Sequence, residues 1–226
     1  NLNLTEESIS FISHNLGKKI NVPKEVTRLG GIHYVGHLSG RGDRLSSKGR
    51  LETGAGDADI QLAKNGKNIQ AKIATKGIAL DRILANKTFG QVATTIEVKG
   101  NKDHLVAKGE ISRFDYNKYS FRNISLDGQY NHGLVKGLAS IDDPNIRVNI
   151  EGNYAMKGNK YAINTHIDHL QPSILGVKMA DKDYSLDDID LSANNQSSDS
   201  YLDLEAPFMS LHARGQYNLS TLVSSI

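Results

Sequence analysis

The 226-residue chain contains no cysteine and no tryptophan, only four prolines and five phenylalanines, and a charge excess of two (27 Lys and Arg against 25 Asp and Glu). Without cysteine there is no disulfide, no thiolate metal site and no cysteine nucleophile. The near balance of charge, with no one-sided cluster of Lys and Arg, leaves no electrostatic footprint for nucleic acid. Four prolines beside 21 glycines exclude collagen-like and Pro-rich disordered chains. No run of about 18 apolar residues occurs, so no segment is suited to span a bilayer as a helix. The first residues, NLNLTEE, lack the basic and apolar regions of a signal peptide, so the chain reads as an internal fragment or an already processed mature form.

What the sequence does contain is strict alternation. Between 146 and 154 (IRVNIEGNY) every even position is apolar or Gly and every odd one polar. The same period of two runs through 58–62, 69–73, 92–98, 124–130 and 211–217. Side chains on a strand point alternately to opposite faces, so each segment predicts a strand with one apolar and one wet face. Turn-forming clusters at 64–67, 100–103, 131–133, 142–145 and 157–159 separate them. Strands at about ten-residue spacing with short turns make an antiparallel meander.

Helix is a minor component. Residues 5–17 begin with Thr5, end with Gly17 and place Ile9, Phe11, Ile12 and Leu16 near helical spacing. Short helical hinges are expected near 78–86, 170–176 and 219–224, each following or interrupting strands in a loose internal repeat. The organisation predicted is a helical lead-in and linker over 1–29, then a repeated β segment over 30–226.

A meander of one-faced strands must hide its apolar face. A second sheet could cover it, a barrel could close it, or the sheet could curl into an apolar trough filled by a ligand such as acyl chains. The inward positions are medium aliphatics, small residues and Gly.

Residues 114–130 (FDYNKYSFRNISLDGQY) resemble the recurrent strand, tight turn, tyrosine and N-I-x-L-D-G element of TamB-like proteins. These are AsmA-like Gram-negative envelope proteins of the translocation and assembly module type, and the likeness is to the Bacteroidetes branch. Residues 133–152, with their G-x-x-x-G and I-D-D-P-N signature, continue it; 77–84, 22–40 and 215–222 are similar to family hinges and linkers. The likeness fades between about 176 and 206. It implies a mainly β fold, an antiparallel meander curled into an elongated apolar β-groove (a β-taco) with a few short helices. It further implies a non-enzymatic segment in the periplasm, held at the inner membrane by an anchor outside this sequence. The groove would carry phospholipid acyl chains toward the outer membrane, or support outer-membrane protein assembly with a barrel partner of the Omp85 type. On that reading the lining residues are Ile60, Leu62, Ile69, Ile73, Ile96, Val98, Ile124, Leu126, Ile146, Val148 and Ile150. A structural spacer or docking scaffold that pairs edge strands with a partner is the alternative.

Other constellations read as structural. His33 and His37 are four apart on a strand, hence about 13 Å apart. His166 and His169, three apart, are expected to face opposite sides, so neither pair chelates and no metal or cofactor is expected. The stretch from Asp181 imitates a calcium loop, but Leu186 and Ser192 stand where Gly and Glu are needed. Asp142 and Asp143 point apart and belong to a turn with Pro144. The tyrosines at 116, 119, 130, 154, 161 and 217 are expected to cap strand ends. The Arg41-Gly42-Asp43 tripeptide, which spells an adhesion signal, lies between two alternating strands and reads as hairpin punctuation, with Gly40 and Gly42 supplying the backbone freedom. No catalytic motif appears.

Overall fold

A computed structural model describes residues 2–4, 24–177, 184–196 and 200–215. The chain is mainly β, with 71% of the described residues in strands, and forms an antiparallel meander sheet not closed into a barrel. It divides into two compact units, Asn1–Lys102 with Ala107–Asn123, and Asp103–Val106 with Ile124–Ile226.

The first unit holds β1 (Leu2–Leu4), β2 (Ile32–Arg41), β3 (Arg44–Thr53), β4 (Gly56–Asn65), β5 (Asn68–Ala79), β6 (Phe89–Gly100), most of β7 (His104–Tyr116) and β8 (Tyr119–Phe121). The second holds β9 (Ile124–Asn131), β10 (Leu134–Asp143), β11 (Ile146–Ala155), β12 (Lys160–Leu170), β13 (Leu186–Asn194), β14 (Tyr201–Ala206) and β15 (Met209–Arg214). Strand order follows chain order, except that β8 pairs back onto β7 off the main path.

Several hairpins turn where the sequence supplies left-handed formers, whereas the Pro144-Asn145 loop between β10 and β11 turns without a positive φ. Arg41 pairs with Arg44, leaving Gly42 and Asp43 as a two-residue loop. Gly42 has φ +61, the backbone state that favours glycine at the first position of such a turn. The tripeptide is therefore a hairpin tip as expected, but Gly42 alone carries the positive φ; Gly40 sits inside β2. Asn117 and Lys118 (φ +48 and +69), and His132 and Gly133 (φ +45 and +88), make further two-residue tips.

Helices α1 (Lys24–Thr27) and α2 (Leu80–Leu84) are short, and a 3₁₀ turn spans Pro172–Leu175. The α2 and 3₁₀ segments coincide with the hinges read from the sequence. Helix α2 ends at Ala85 in the left-handed conformation, and Arg82 donates to the Gly54 carbonyl. The 3₁₀ turn opens with Pro172, whose lacking N–H is harmless there, and ends at Gly176 (φ +84). The expected helices over 5–17 and near 219–224 lie outside the described residues, as do Tyr217 and Asp181.

One face assignment is corrected. Arg147 pairs with His169 but Val148 with Ile167, so β12 carries a bulge at Asp168. The extra residue flips the phase, and His166 and His169 lie on the same face instead of opposite ones.

Candidate functional site

The register of the sheet gathers the predicted lining residues into cross-strand rows. In the first unit Ile60 pairs with Ile73 and Ile73 with Ile96; Leu62 pairs with Ala71 and Ala71 with Val98. Ile69, two residues from Ala71 on β5, shares this face. Pairing partners have side chains on the same side of a sheet, so these seven aliphatics form one patch.

In the second unit one row runs Ile124, Ile141, Val148, Ile167, Ile189 across five strands. A parallel row continues further, through Leu126, Ala139, Ile150, Thr165, Leu191, Leu204 and Leu211. Ile146, opposite Leu170, extends the same face. Every lining residue expected from the sequence thus faces the apolar side of its own unit.

Next to the second row lies a stripe with almost no side chains. Gly128 pairs with Gly137 and Gly137 with Gly152. Beyond it Tyr130, Val135, Tyr154 and Tyr161 make an aromatic border. The stripe is a shallow lane, walled by Leu126, Ala139 and Ile150 on one side and by tyrosines on the other. The tyrosines play the strand-end role expected: Tyr161 is buried and the Tyr154 hydroxyl donates to Asn159 at 2.8 Å.

The apolar face is not fully covered. Ile73 is 42% exposed, Leu126 40% and Ile150 36%, whereas Ile124 and Val148 are buried. Among the described residues the fully buried hydrophobics are few and scattered, as in a sheet whose apolar face lacks a thick second layer.

The polar face is laced by cross-strand charge pairs. Lys72 meets Glu97 at 2.7 Å and Arg50 meets Asp57 at 2.8 Å. The Lys72 hydrogen bond and charge hold the Glu97 carboxyl below its ordinary range. Two clefts open on this side, one of about 840 Å³ over Asp57, Ala74, Gly77 and Ala93, another of about 360 Å³ over Asp127, Lys136 and Glu151. Small residues and a β5 bulge between Thr75 and Ile78 make the floor of the larger one.

The end of the first unit is closed by aromatic packing: Phe89 lies 5.2 Å from Tyr116 and Tyr119 lies 4.8 Å from Phe121, between ring centres. Asp115 anchors this corner. It accepts two hydrogen bonds from Arg113, one from Ser120 and one from the Gln91 N–H. The Arg113 hydrogen bonds, with smaller help from Ser120 and Gln91, depress its carboxyl against the opposing effect of burial. Asp143, suspected from the sequence only as a turn residue, is the most buried polar side chain among the described residues and accepts the Asn145 N–H at 3.0 Å.

A cluster that sequence reasoning missed sits on the polar face of the second unit. His166, Asp188 and Asp190 place ligand-capable atoms within 4.8 Å of one another. The missed signal was a phase slip in the alternation: Ile163, Thr165 and Ile167 are odd-numbered but Leu170 even, while Leu186 is even and Ile189 and Leu191 odd. Both slips bracket the bulged positions, Asp168 and Asp188. No family model, no curated protein and no solved structure matches the chain.

Proposed function

We propose that this chain is a non-enzymatic segment of a TamB-like envelope protein whose apolar sheet face carries phospholipid acyl chains between the inner and outer membranes. The observation that carries the reading is the set of cross-strand aliphatic rows in each unit, continuous over many strands yet partly exposed. Apolar surface of that extent is costly in water at about 25 cal/mol per Å², and an acyl chain removes it without demanding hydrogen bonds. The glycine lane gives a methylene chain a path across β9, β10 and β11, up to Ile163 on β12, between walls that supply dispersion contacts. Periplasmic location, an anchor outside this sequence and a barrel partner of the Omp85 type follow from the resemblance and belong to the same proposal.

Native mass spectrometry of the delipidated chain after re-addition of phosphatidylethanolamine tests it. Bound phospholipid on a folded sample is expected, and none on a folded sample contradicts it. A second reading, a docking scaffold, is favoured by strand β15, which ends the described strand path and lies beside Phe208, 58% exposed, with Met209 and Leu211 exposed within it. Such an edge invites a partner strand. A folded sample that takes no lipid supports this alternative.

A further inference from the structure

The polar face of the second unit carries a ligand set built by a shared irregularity of two strands. His166 pairs with Asp190, Ile167 with Ile189 and His169 with Asp187, while Asp168 and Asp188 stand between these pairs. Asp188 has φ +56, a conformation rare for a residue inside a strand. With both strands dislocated at the same level, histidines and carboxylates that simple alternation would divide between two faces share one.

His166 lies at the centre. Its Nδ1 is 2.8 Å from an Asp190 carboxylate oxygen, and its Nε2 is 3.3 Å from Asp168 on the other side of the ring. Asp168 in turn accepts from the Asn149 side-chain amide at 3.4 Å. A metal-binding histidine characteristically presents one ring nitrogen to the ion and donates from the other to a carboxylate, which fixes the ring and its tautomer. Asp168 occupies that supporting place, outside the trio of His166, Asp188 and Asp190. We propose that these three residues bind a divalent transition ion of the zinc class, with Asp168 as the positioning residue behind the imidazole.

The chemistry of the donors selects the class of ion. Calcium and magnesium take oxygen ligands, whereas one imidazole nitrogen with two carboxylates suits zinc, cobalt or manganese. Donor atoms around one tetrahedral zinc lie about 3.3 Å apart, given bond lengths near 2.0–2.1 Å. The trio spans 4.8 Å at most, so side-chain rotation by the exposed Asp188 and Asp190 closes it without moving the sheet. Three protein ligands leave a fourth position for water. An ion there would tie β12 to β13.

Calorimetric titration of the chelator-treated full chain with zinc chloride and, separately, calcium chloride tests the site. One zinc per chain is expected, bound at least 100-fold more tightly than calcium. His166→Gln and Asp188→Asn should each weaken zinc at least tenfold, and Asp168→Asn by about 10–100-fold. His212→Gln is the control, because that histidine also sits between carboxylates, Asp203 and Glu205 at 3.1 Å each, but outside the trio. It should leave zinc affinity unchanged. Zinc binding no tighter than calcium, or unaltered by His166→Gln in a variant whose circular dichroism matches the parent, overturns the proposal. If the variants do not fold, cobalt(II) added to the parent chain decides: intense visible bands of a tetrahedral ion support the site, and their absence overturns it.

Discussion

The Tyr34 hydroxyl lies 2.5 Å from the Ser47 hydroxyl, which lays the tyrosine ring across the paired glycines Gly36 and Gly49. The ring covers backbone that has no side chain of its own, the aromatic rescue of a glycine pair. A Cβ on Gly49 would meet the Val35 carbonyl at 2.5 Å, the Gly36 Cα at 2.6 Å and the Tyr34 hydroxyl at 2.6 Å. Two of those three neighbours are backbone and cannot step aside. Gly49→Ala should therefore destabilise the chain by about 1–3 kcal/mol, the usual cost of overpacking. Gly152→Ala is the contrast, since its new methyl would find nothing nearer than 3.4 Å. It should change stability by no more than about 0.5 kcal/mol. Urea unfolding midpoints of the two variants check the difference.

Asp143 is 2% exposed and accepts the Asn145 N–H in the turn between β10 and β11. Asp143→Ala removes the acceptor and leaves that donor poorly satisfied, at a cost of about 1–3 kcal/mol. Asp143→Asn keeps an acceptor oxygen and should lose less. The order of the two thermal midpoints is the measurement.

Asp115 supplies a pH dependence. Hydrogen bonds from Arg113, then Ser120 and Gln91, hold its folded-state carboxyl below the value of 3.8. A depressed carboxylate contributes stability that is present above the unfolded-state value and disappears as pH falls through the folded-state one. Acid unfolding of the parent should therefore lose this contribution below about pH 4. Asp115→Asn should be less stable than the parent at pH 7, with the gap narrowing toward pH 3. A gap that stays constant across that range contradicts the assignment.

Lys118 occupies the second tip position of the β7–β8 hairpin with φ +69. Only glycine takes that conformation at no steric cost, and Asn-Gly is the preferred pair for such a tip. Lys118→Gly should stabilise the chain by up to about 1 kcal/mol despite the extra entropy glycine loses on folding. Thermal unfolding reads the shift.

The strands and the two central hinges were legible because period-two alternation and turn residues are local signals. Leu80–Leu84 and Pro172–Leu175 fall where aliphatics depart from alternation beside an Asp or a Pro. The face of each lining residue followed from the same alternation. Local pattern marks a bulge only indirectly, as a phase slip, because a bulge is defined by a mismatch with the neighbouring strand. Asp168 is extra only relative to Arg147 and Val148. The phase slip from Ile167 to Leu170 did mark it, and reading through that slip placed His166 and His169 on opposite faces. The stretch where family likeness faded holds β13 and β14, which both alternate, but the phase of β13 slips at Asp188. The ring of Tyr34 over Gly36 and Gly49 was also beyond reach, since it depends on the register of β2 against β3.

The glycine lane allows the lipid proposal to be tested without burying a charge. A Cβ on Gly137 would meet only the Asp127 carbonyl, at 3.4 Å, so Gly137→Leu can place a side chain in the lane while keeping the sheet. It should reduce phospholipid uptake at least severalfold in native mass spectra with the fold intact by circular dichroism. Uptake equal to the parent's would remove the lane from the account. A charged replacement such as Val148→Asp is less informative, because an unpaired charge at that buried position can unfold the sheet by itself.

The most direct measurement is photolabelling with a phospholipid whose acyl chain carries a diazirine, followed by mapping of the adducts in the folded chain by mass spectrometry. Adducts should concentrate on the exposed apolar face, at Ile73, Leu126 and Ile150 and their same-face neighbours. Labelling spread equally over polar-face positions such as Gln70 and Asn149, or no labelling of a folded sample, would contradict the claim that this face holds acyl chains.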